Sequence, residues 1–110
     1  DRMGQVFSNV LRNALQHTPP GGRVTIHPAL LPGTAAVSVA DSGEGIAPEN
    51  LERIFERFFR VDGAARASEG AGIGLTIARG IARGHGGDLT AASAGPGCGA
   101  AFTVTVPLAS

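Results

Sequence analysis

Residues 2–22 read RMGQVFSNVLRNALQHTPPGG, and this stretch predicts an amphipathic helix followed directly by a turn. At about 100° per residue, the apolar side chains fall on one broad arc of that helix. They are Met3, Val6, Phe7, Val10, Leu11 and Ala14. Because the run from Pro19 to Gly22 cannot continue a helix, we expect the helix to end near His17.

Further along the chain, strand-forming segments come in two pairs, and a turn joins the members of each pair. The predicted strands are residues 23–27, 35–40, 88–93 and 100–106. Pro32 and Gly33 make the first turn, and the glycine-rich run 95–99 makes the second. Pro107 ends the last strand, since it cannot donate a ladder hydrogen bond.

Between the two hairpins, the pattern predicts two further helices. Residues 48–59 form a short helix with Pro48 in its first turn, and residues 73–83 form another that ends in a glycine run. Residues 61–72 are small, charged and glycine-punctuated, which predicts a mobile loop. Strands and helices do not alternate in this order, which argues against a doubly wound parallel sheet. It favours a two-layer α/β sandwich with helices on one face.

Composition fits one domain and narrows the classes of function. The chain has 110 residues, of which 43% are hydrophobic, and a formal net charge of zero. This balance gives no electrostatic reason to expect binding to nucleic acid or an anionic membrane. No apolar run approaches the roughly 20 residues of a membrane span. The single Cys98 excludes an internal disulfide and fits a reducing compartment. Because Asp1 leads almost directly into a helix, we expect a fragment of a longer protein.

A polar stripe runs along the first helix beside its apolar arc. Asn9 and Asn13 are four residues apart, and Gln16 and His17 continue the stripe. A solvated face explains a lone asparagine, but two in register, followed by glutamine and histidine, favour a functional role. Amide oxygens are hard, neutral ligands that suit Mg²⁺ sharing its site with substrate phosphates.

Two glycine-containing segments complete the candidate site. Residues 41–45 (DSGEG) follow a strand, so the carboxylate of Asp41 can accept a hydrogen bond from a base amine while backbone approaches the flat ring. Residues 70–75 (GAGIGL) run into a helix, whose free N–H groups suit phosphates. They nearly match the dinucleotide pattern G-x-G-x-x-G, but they follow no strand and lack the ending of a P-loop.

The order and spacing of these segments resemble the ATPase family of histidine kinases. Residues 9–22 resemble its asparagine box, and residues 39–46 its first glycine box. Residues 54–60 (IFERFFR) resemble its phenylalanine box, and residues 70–75 its second glycine box. Segments between residues 85 and 107 match its C-terminal end, so the resemblance covers nearly the whole chain.

The resemblance implies an α+β fold of the GHKL ATPase type, a two-layer α/β sandwich in one domain over residues 1–110. Its mixed sheet is covered on one face by three helices, and ATP lies between two of them under a flexible lid. From the same resemblance, we expect that the family's first strand, which normally lies just upstream of Asp1, is missing from this sequence.

The resemblance also implies which residues would bind the adenine of ATP. Asp41 would accept a hydrogen bond from the adenine amine, and Gly43 and Gly45 would give backbone and water access to the same ring. Ile46 and Leu75 would form apolar walls against the ring.

At the phosphate end, the resemblance makes Asn13 the Mg²⁺ ligand and a catalytic residue, with Asn9 nearby. Arg60 and Arg57 would also be catalytic residues, reaching the γ-phosphate. The other residues assigned to the nucleotide are Gln16, His17, Gly70, Gly72, Ile73 and Gly74. Gln16 stands where the family often has a lysine, so a positive charge is lost there.

Several aromatic and histidine residues have structural interpretations. The phenylalanines of residues 54–60 are predicted core anchors, although this box also helps to dock the partner helix in the family. His85 lies in a turn before a strand and is structural, and His27 receives no role. His17 stays open between a phosphate or ribose contact and an ordinary histidine at a helix C-terminus.

Three functions remain open. In the first, a cytoplasmic histidine-kinase domain binds Mg-ATP and phosphorylates a histidine on a separate dimerisation domain, and a response regulator acts downstream. It contacts neither nucleic acid nor membrane directly. In the second, the domain is a nucleotide-binding regulatory module without kinase activity. In the third, it is a serine kinase of the anti-sigma-factor type. The phenylalanine box and the segment order favour the first.

Overall fold

The computed structural model describes residues 2–56 and 71–108, which contain two α-helices and four strands. They are α1 (Arg2–Gln16), β1 (Val24–Leu31), β2 (Thr34–Asp41), α2 (Ala71–Gly84), β3 (Asp88–Ala92) and β4 (Ala100–Pro107). The predicted order of these elements is confirmed. Five residues with predicted roles lie outside the described part of the chain: Arg57, Phe58, Phe59, Arg60 and Gly70.

The strands form one sheet in the order β1-β2-β4-β3. All three neighbouring pairs are antiparallel. The α+β sandwich is confirmed, whereas the mixed sheet implied by the resemblance needs a parallel pair, and the four described strands contain none. Within each hairpin the connection is too short for parallel pairing, which needs a crossover of a dozen or more residues.

The core lies between one face of the sheet and the two helices, which pack against each other. The predicted apolar arc of α1 is confirmed, since Val6, Val10 and Ala14 are fully buried. The sheet contributes Val39, Leu89, Phe102 and Val104, and α2 contributes Leu75, Ala78 and Ile81. Burial of each large apolar side chain stabilises the fold by about 1.5–3 kcal/mol.

Two elements differ from the sequence prediction. β1 extends to Leu31 instead of ending at His27, because β1 lies at the edge of the sheet, where Pro28 is tolerated without its N–H. The predicted short helix over residues 48–59 is present in its described part as two 3-10 turns, Pro48–Asn50 and Arg53–Phe55. Pro48 opens the first turn, as expected.

No helix within residues 2–56 and 71–108 has both the length and the apolar character that crossing a membrane requires.

Candidate functional site

The asparagine stripe of α1 lies at the edge of the core, as predicted. Asn13 is only 9% exposed. Its side-chain amide makes no hydrogen bond to any residue within 2–56 and 71–108. Buried polar groups are nearly always hydrogen-bonded, so an amide in this state calls for a ligand or an ordered water.

Asn9 brings α1 to the beginning of α2. Its Nδ2 donates a hydrogen bond to the carbonyl oxygen of Gly74, at 3.2 Å. Gly72, Ile73 and Gly74 lie in the first turn of α2, where backbone N–H groups have no partner within the helix. The first turn starts at Ala71, so two of the predicted phosphate glycines lie inside the helix rather than before it. The asparagine stripe and the second glycine segment are therefore adjacent.

The loop after β2 packs against the end of α1. Nδ1 of His17 lies 2.5 Å from Oε2 of Glu44, and this pair joins the two elements. The sequence pattern did not single out Glu44. A Cβ on Gly43 would lie 1.9 Å from the carbonyl oxygen of His17, so only glycine fits at this contact. Gln16 ends α1 and is exposed.

Asp41 is the last residue of β2. One of its carboxylate oxygens accepts a hydrogen bond within the protein, and the other is available to a ligand. Its Oδ1 accepts a hydrogen bond from the backbone N–H of Gly43, at 2.9 Å. Its Oδ2 has no hydrogen-bond partner among the described residues. Ile46 is partly buried beside the core, whereas Leu75 is fully part of the core. A free carboxylate oxygen at a strand end is the acceptor that a base amine requires.

A second loop, residues 93–99, supports this one and was not predicted to have a role. The N–H of Gly97 donates to the carbonyl oxygen of Glu44 at 2.7 Å, and the N–H of Gly99 donates to that of Gly43 at 3.2 Å. Gly45 has a φ of +75°, and a Cβ there would lie 2.2 Å from the carbonyl oxygen of Gly95. Glycine at position 45 is therefore required by loop packing, a reason that differs from the predicted approach to a ring.

The described part of the phenylalanine box is fastened to α2. Oγ1 of Thr76 donates to the carbonyl oxygen of Phe55 at 2.7 Å. The guanidinium carbon of Arg79 lies 4.1 Å from the centre of the Phe55 ring, a cation–π contact. Arg79 also forms a two-pronged ion pair with Glu52, at 3.0 and 3.3 Å. Phe55 is buried, which confirms its predicted role as a core anchor.

Charges on α2 and β3 reinforce this connection. Burial disfavours the charge of Arg79, but the hydrogen bonds and charges of Glu52 and Asp88 outweigh burial and raise its pKa. The hydrogen bond from Arg83, above all, lowers the pKa of Asp88. Because its folded-state pKa is lowered, Asp88 stabilises the fold at neutral pH. This contribution is lost as the pH falls below its ordinary value of 3.8.

The other two histidines lie away from these loops. Nδ1 of His85 is 2.9 Å from the carbonyl oxygen of Ile81, at the end of α2. His27 is exposed on the edge strand β1. Neither side chain forms a hydrogen bond or ion pair with the asparagine stripe among the described residues.

Comparison with known proteins assigns the family. A family model described as "Histidine kinase-, DNA gyrase B-, and HSP90-like ATPase" matches residues 1–110. The chain belongs to this ATPase family. The resemblance drawn from the sequence motifs is thereby confirmed, and the family is one of ATP-binding domains.

Curated relatives of this ATPase domain include sensor kinases. The signal transduction histidine-protein kinase BaeS of Escherichia coli is 39% identical over 109 residues, which are 98% of this chain and 23% of BaeS. The sensor histidine kinase RppB of Synechocystis is 44% identical over 105 residues, which are 94% of this chain and 23% of RppB. The chain spans about a quarter of the length of these relatives.

Solved structures share the fold of the ATPase domain. The mycobacterial sensor histidine kinase MprB matches with a TM-score of 0.81 and 37% identity, over 94% of this chain and 68% of that one. Full-length ShkA in complex with AMPPNP matches with a TM-score of 0.83 and 34% identity, over 99% of this chain and 22% of that one. These matches confirm the GHKL-type α+β fold.

Proposed function

We propose that residues 1–110 form one catalytic domain that binds Mg-ATP and donates the γ-phosphate to a histidine on a separate dimerisation domain of the same parent kinase. The reaction would belong to cytoplasmic two-component signalling, with a response regulator as the later phosphate acceptor. The observation that carries the proposal is the buried amide of Asn13, unpartnered in the described residues, beside the Asn9–Gly74 contact. BaeS and RppB, which are relatives of this chain, are histidine kinases, and this supports the same activity for the parent of this chain.

Mg²⁺ fits the donor set at Asn13. The amide oxygen is a hard ligand, and its burial without a partner in the described part of the chain leaves it available to an ion. The described residues contain no group of three or more histidine, cysteine, aspartate or glutamate side chains able to hold a metal. The ion would therefore share ATP oxygens and water with Asn13, as Mg²⁺ commonly does. Bound there, it would neutralise charge on the phosphates.

The residues of this chain would bind and orient ATP and neutralise the charge of its phosphates. They would not form a covalent intermediate. Oδ2 of Asp41 would accept the adenine amine, with Ile46 against the ring. The first turn of α2 would present backbone N–H groups to the phosphates. Arg60 and Arg57 keep the γ-phosphate role implied by the resemblance. Phosphoryl transfer of this kind depends on positioning and charge stabilisation.

Calorimetric titration of the chain with ATP tests the binding half of the proposal. With Mg²⁺ present, we expect one ATP per chain, and without Mg²⁺ a clearly weaker interaction. Equal affinity in both conditions would show that Asn13 does not act through a metal. No ATP binding at all would contradict the proposed function.

Two glycines of α2 offer a matched pair for the phosphate contact. At both Gly74 and Gly80, a Cβ would meet no described atom within 4 Å beyond the neighbouring backbone of the helix itself. Each change to alanine should stabilise the fold by about 0.5–1 kcal/mol, because alanine is the better helix former. Only Gly74→Ala should weaken ATP binding, since Gly80 lies near the other end of the helix. Urea unfolding and ATP titration measure the two effects separately, and an ATP affinity preserved in Gly74→Ala would remove Gly74 from the site.

A further inference from the structure

Ser93, the first residue after β3, connects two loops through one hydroxyl group. Its Oγ accepts hydrogen bonds from the backbone N–H of Ile46 at 3.0 Å and of Gly95 at 3.1 Å. The hydroxyl donates to the carbonyl oxygen of Gly99 at 2.6 Å, the nearer of two carbonyls within reach. A serine hydroxyl has one hydrogen and two lone pairs, so these three bonds use its full capacity.

Loop 93–99, which folds around Ser93, is hydrogen-bonded to most of the loop after β2. Besides the bond to Ile46, the N–H groups of Gly97 and Gly99 bind the carbonyl oxygens of Glu44 and Gly43. Residues 43, 44 and 46 are thus each hydrogen-bonded to loop 93–99, the first two as acceptors and Ile46 as the donor. These contacts lie within three residues of Asp41 or at the predicted adenine wall itself.

The two loops are packed so closely that their relative position is fixed. A Cβ on Gly99 would lie 2.2 Å from the carbonyl oxygen of Asp41, and one on Gly45 would lie 2.2 Å from that of Gly95. Both collisions are with backbone, so no rotamer change could relieve them. The positions of Asp41 and Ile46 therefore depend on the conformation of loop 93–99, which Ser93 organises.

The phosphate end of the site is held by other contacts. Asn9 binds Gly74, and α1 packs directly on α2. Among the described residues, no hydrogen bond joins loop 93–99 to the asparagine stripe or to the first turn of α2. Loop 93–99 thus supports the base end directly, whereas the end of α1 meets that end of the site through the His17–Glu44 pair and the contact at Gly43.

We propose that Ser93 is a positioning residue for recognition of the purine base, and that it acts through Ile46 and the loop after β2 without contributing to phosphate binding. This inference rests on the proposed function, because it takes residues 41–46 as the adenine-binding loop. It goes beyond that function by assigning base affinity and selectivity to a residue that need not touch the nucleotide.

The test compares Ser93→Ala with the unaltered chain in NMR titrations, which also measure weak binding. The probes are adenosine, ATP, GTP and inorganic tripolyphosphate with Mg²⁺. We expect the affinities for adenosine and ATP to fall by the same factor, on the order of tenfold, because the partly buried N–H of Ile46 loses its acceptor. The preference for ATP over GTP should shrink, and tripolyphosphate affinity should stay unchanged.

Ser38→Ala is the matched control. Oγ of Ser38 is 2.9 Å from Oγ1 of Thr103 within the sheet, so this variant also loses a partly buried serine hydrogen bond. It should lower stability without changing adenosine affinity. Amide hydrogen exchange adds a local readout, since exchange at Ile46 and Gly95 should accelerate in Ser93→Ala while exchange in α1 does not.

Three results would overturn the inference. The first is an adenosine affinity in Ser93→Ala equal to that of the unaltered chain. The second is a loss of tripolyphosphate affinity as large as the loss of adenosine affinity. If Ser93→Ala does not fold, Ser93→Cys keeps a small side chain with a weak hydrogen-bonding group and should show the same ordering to a smaller degree. Failure of both variants to fold is the third contrary result. Failure of the unaltered chain to bind adenosine or ATP would contradict the proposed function itself, which is a different outcome.

Discussion

Gly43→Ala is expected to lower the free energy of unfolding by about 3 kcal/mol and to remove most of the ATP affinity. The new Cβ would lie 1.9 Å from the carbonyl oxygen and 2.9 Å from the carbonyl carbon of His17. Both atoms belong to backbone at the end of α1, so either the helix end or the loop must move. Urea unfolding measures the stability, and ATP titration below the unfolding transition measures the affinity.

Gly33→Ala is the control for this prediction. Gly33 has a φ of +72° in the β1–β2 turn, and a Cβ there would meet no described atom within 4 Å. The Gly33→Ala variant should lose about 1 kcal/mol of its free energy of unfolding through backbone strain alone, and its ATP affinity should be unchanged. If Gly43→Ala were no more destabilising than Gly33→Ala, the loop would not be pressed against α1 as the structure shows.

Asp41→Asn is expected to weaken ATP binding by about 1–3 kcal/mol while the fold is retained. The asparagine oxygen can still accept from the N–H of Gly43, so the local turn is preserved. Its NH₂ group then replaces the free carboxylate oxygen and faces the adenine amine, donor against donor. Guanine presents an acceptor at the same position, so the preference for ATP over GTP should shrink or reverse.

Asp88→Asn is the matched substitution outside the proposed site. Asp88 pairs with Arg83 at 2.8 Å, so its loss should reduce stability, chiefly at neutral pH where the carboxylate is ionised. The Asp88→Asn variant should prefer ATP over GTP to the same degree as the unaltered chain. An Asp41→Asn protein that is folded and keeps both ATP affinity and selectivity would refute the adenine assignment.

Local patterns were sufficient to predict most of the fold. The apolar arc of α1 has a clear helical period, and Pro32-Gly33 is a strong turn signal, so these elements appear where the sequence puts them. The predicted end of β1 at His27 was too early, because tolerance of Pro28 depends on the position of the strand at the edge of the sheet, which is a tertiary property. The 3-10 turns around Phe55 depend on contacts with Thr76 and Arg79, which lie more than 20 residues away.

The candidate site was predictable where a residue type carries its own chemistry. Asn13 and Asp41 stood out because an amide in a helix stripe and a carboxylate at a strand end suggest ligands. Glu44 and Ser93 did not stand out, since serine and glutamate beside glycines are ordinary loop residues. Their importance arises from partners 27 and 47 residues away, which only the folded chain brings together.

Phosphate transfer from labelled ATP tests the central claim most directly. The chain alone, given Mg-ATP, should acquire no acid-labile phosphate on His17, His27 or His85, because the proposed acceptor is in another domain. When the phosphoacceptor domain of its parent protein is added, the label should appear on a histidine of that domain. Stoichiometric phosphohistidine on this chain alone would contradict the account, as would bound ATP with no transfer to the added domain, which would indicate a nucleotide-binding regulatory module.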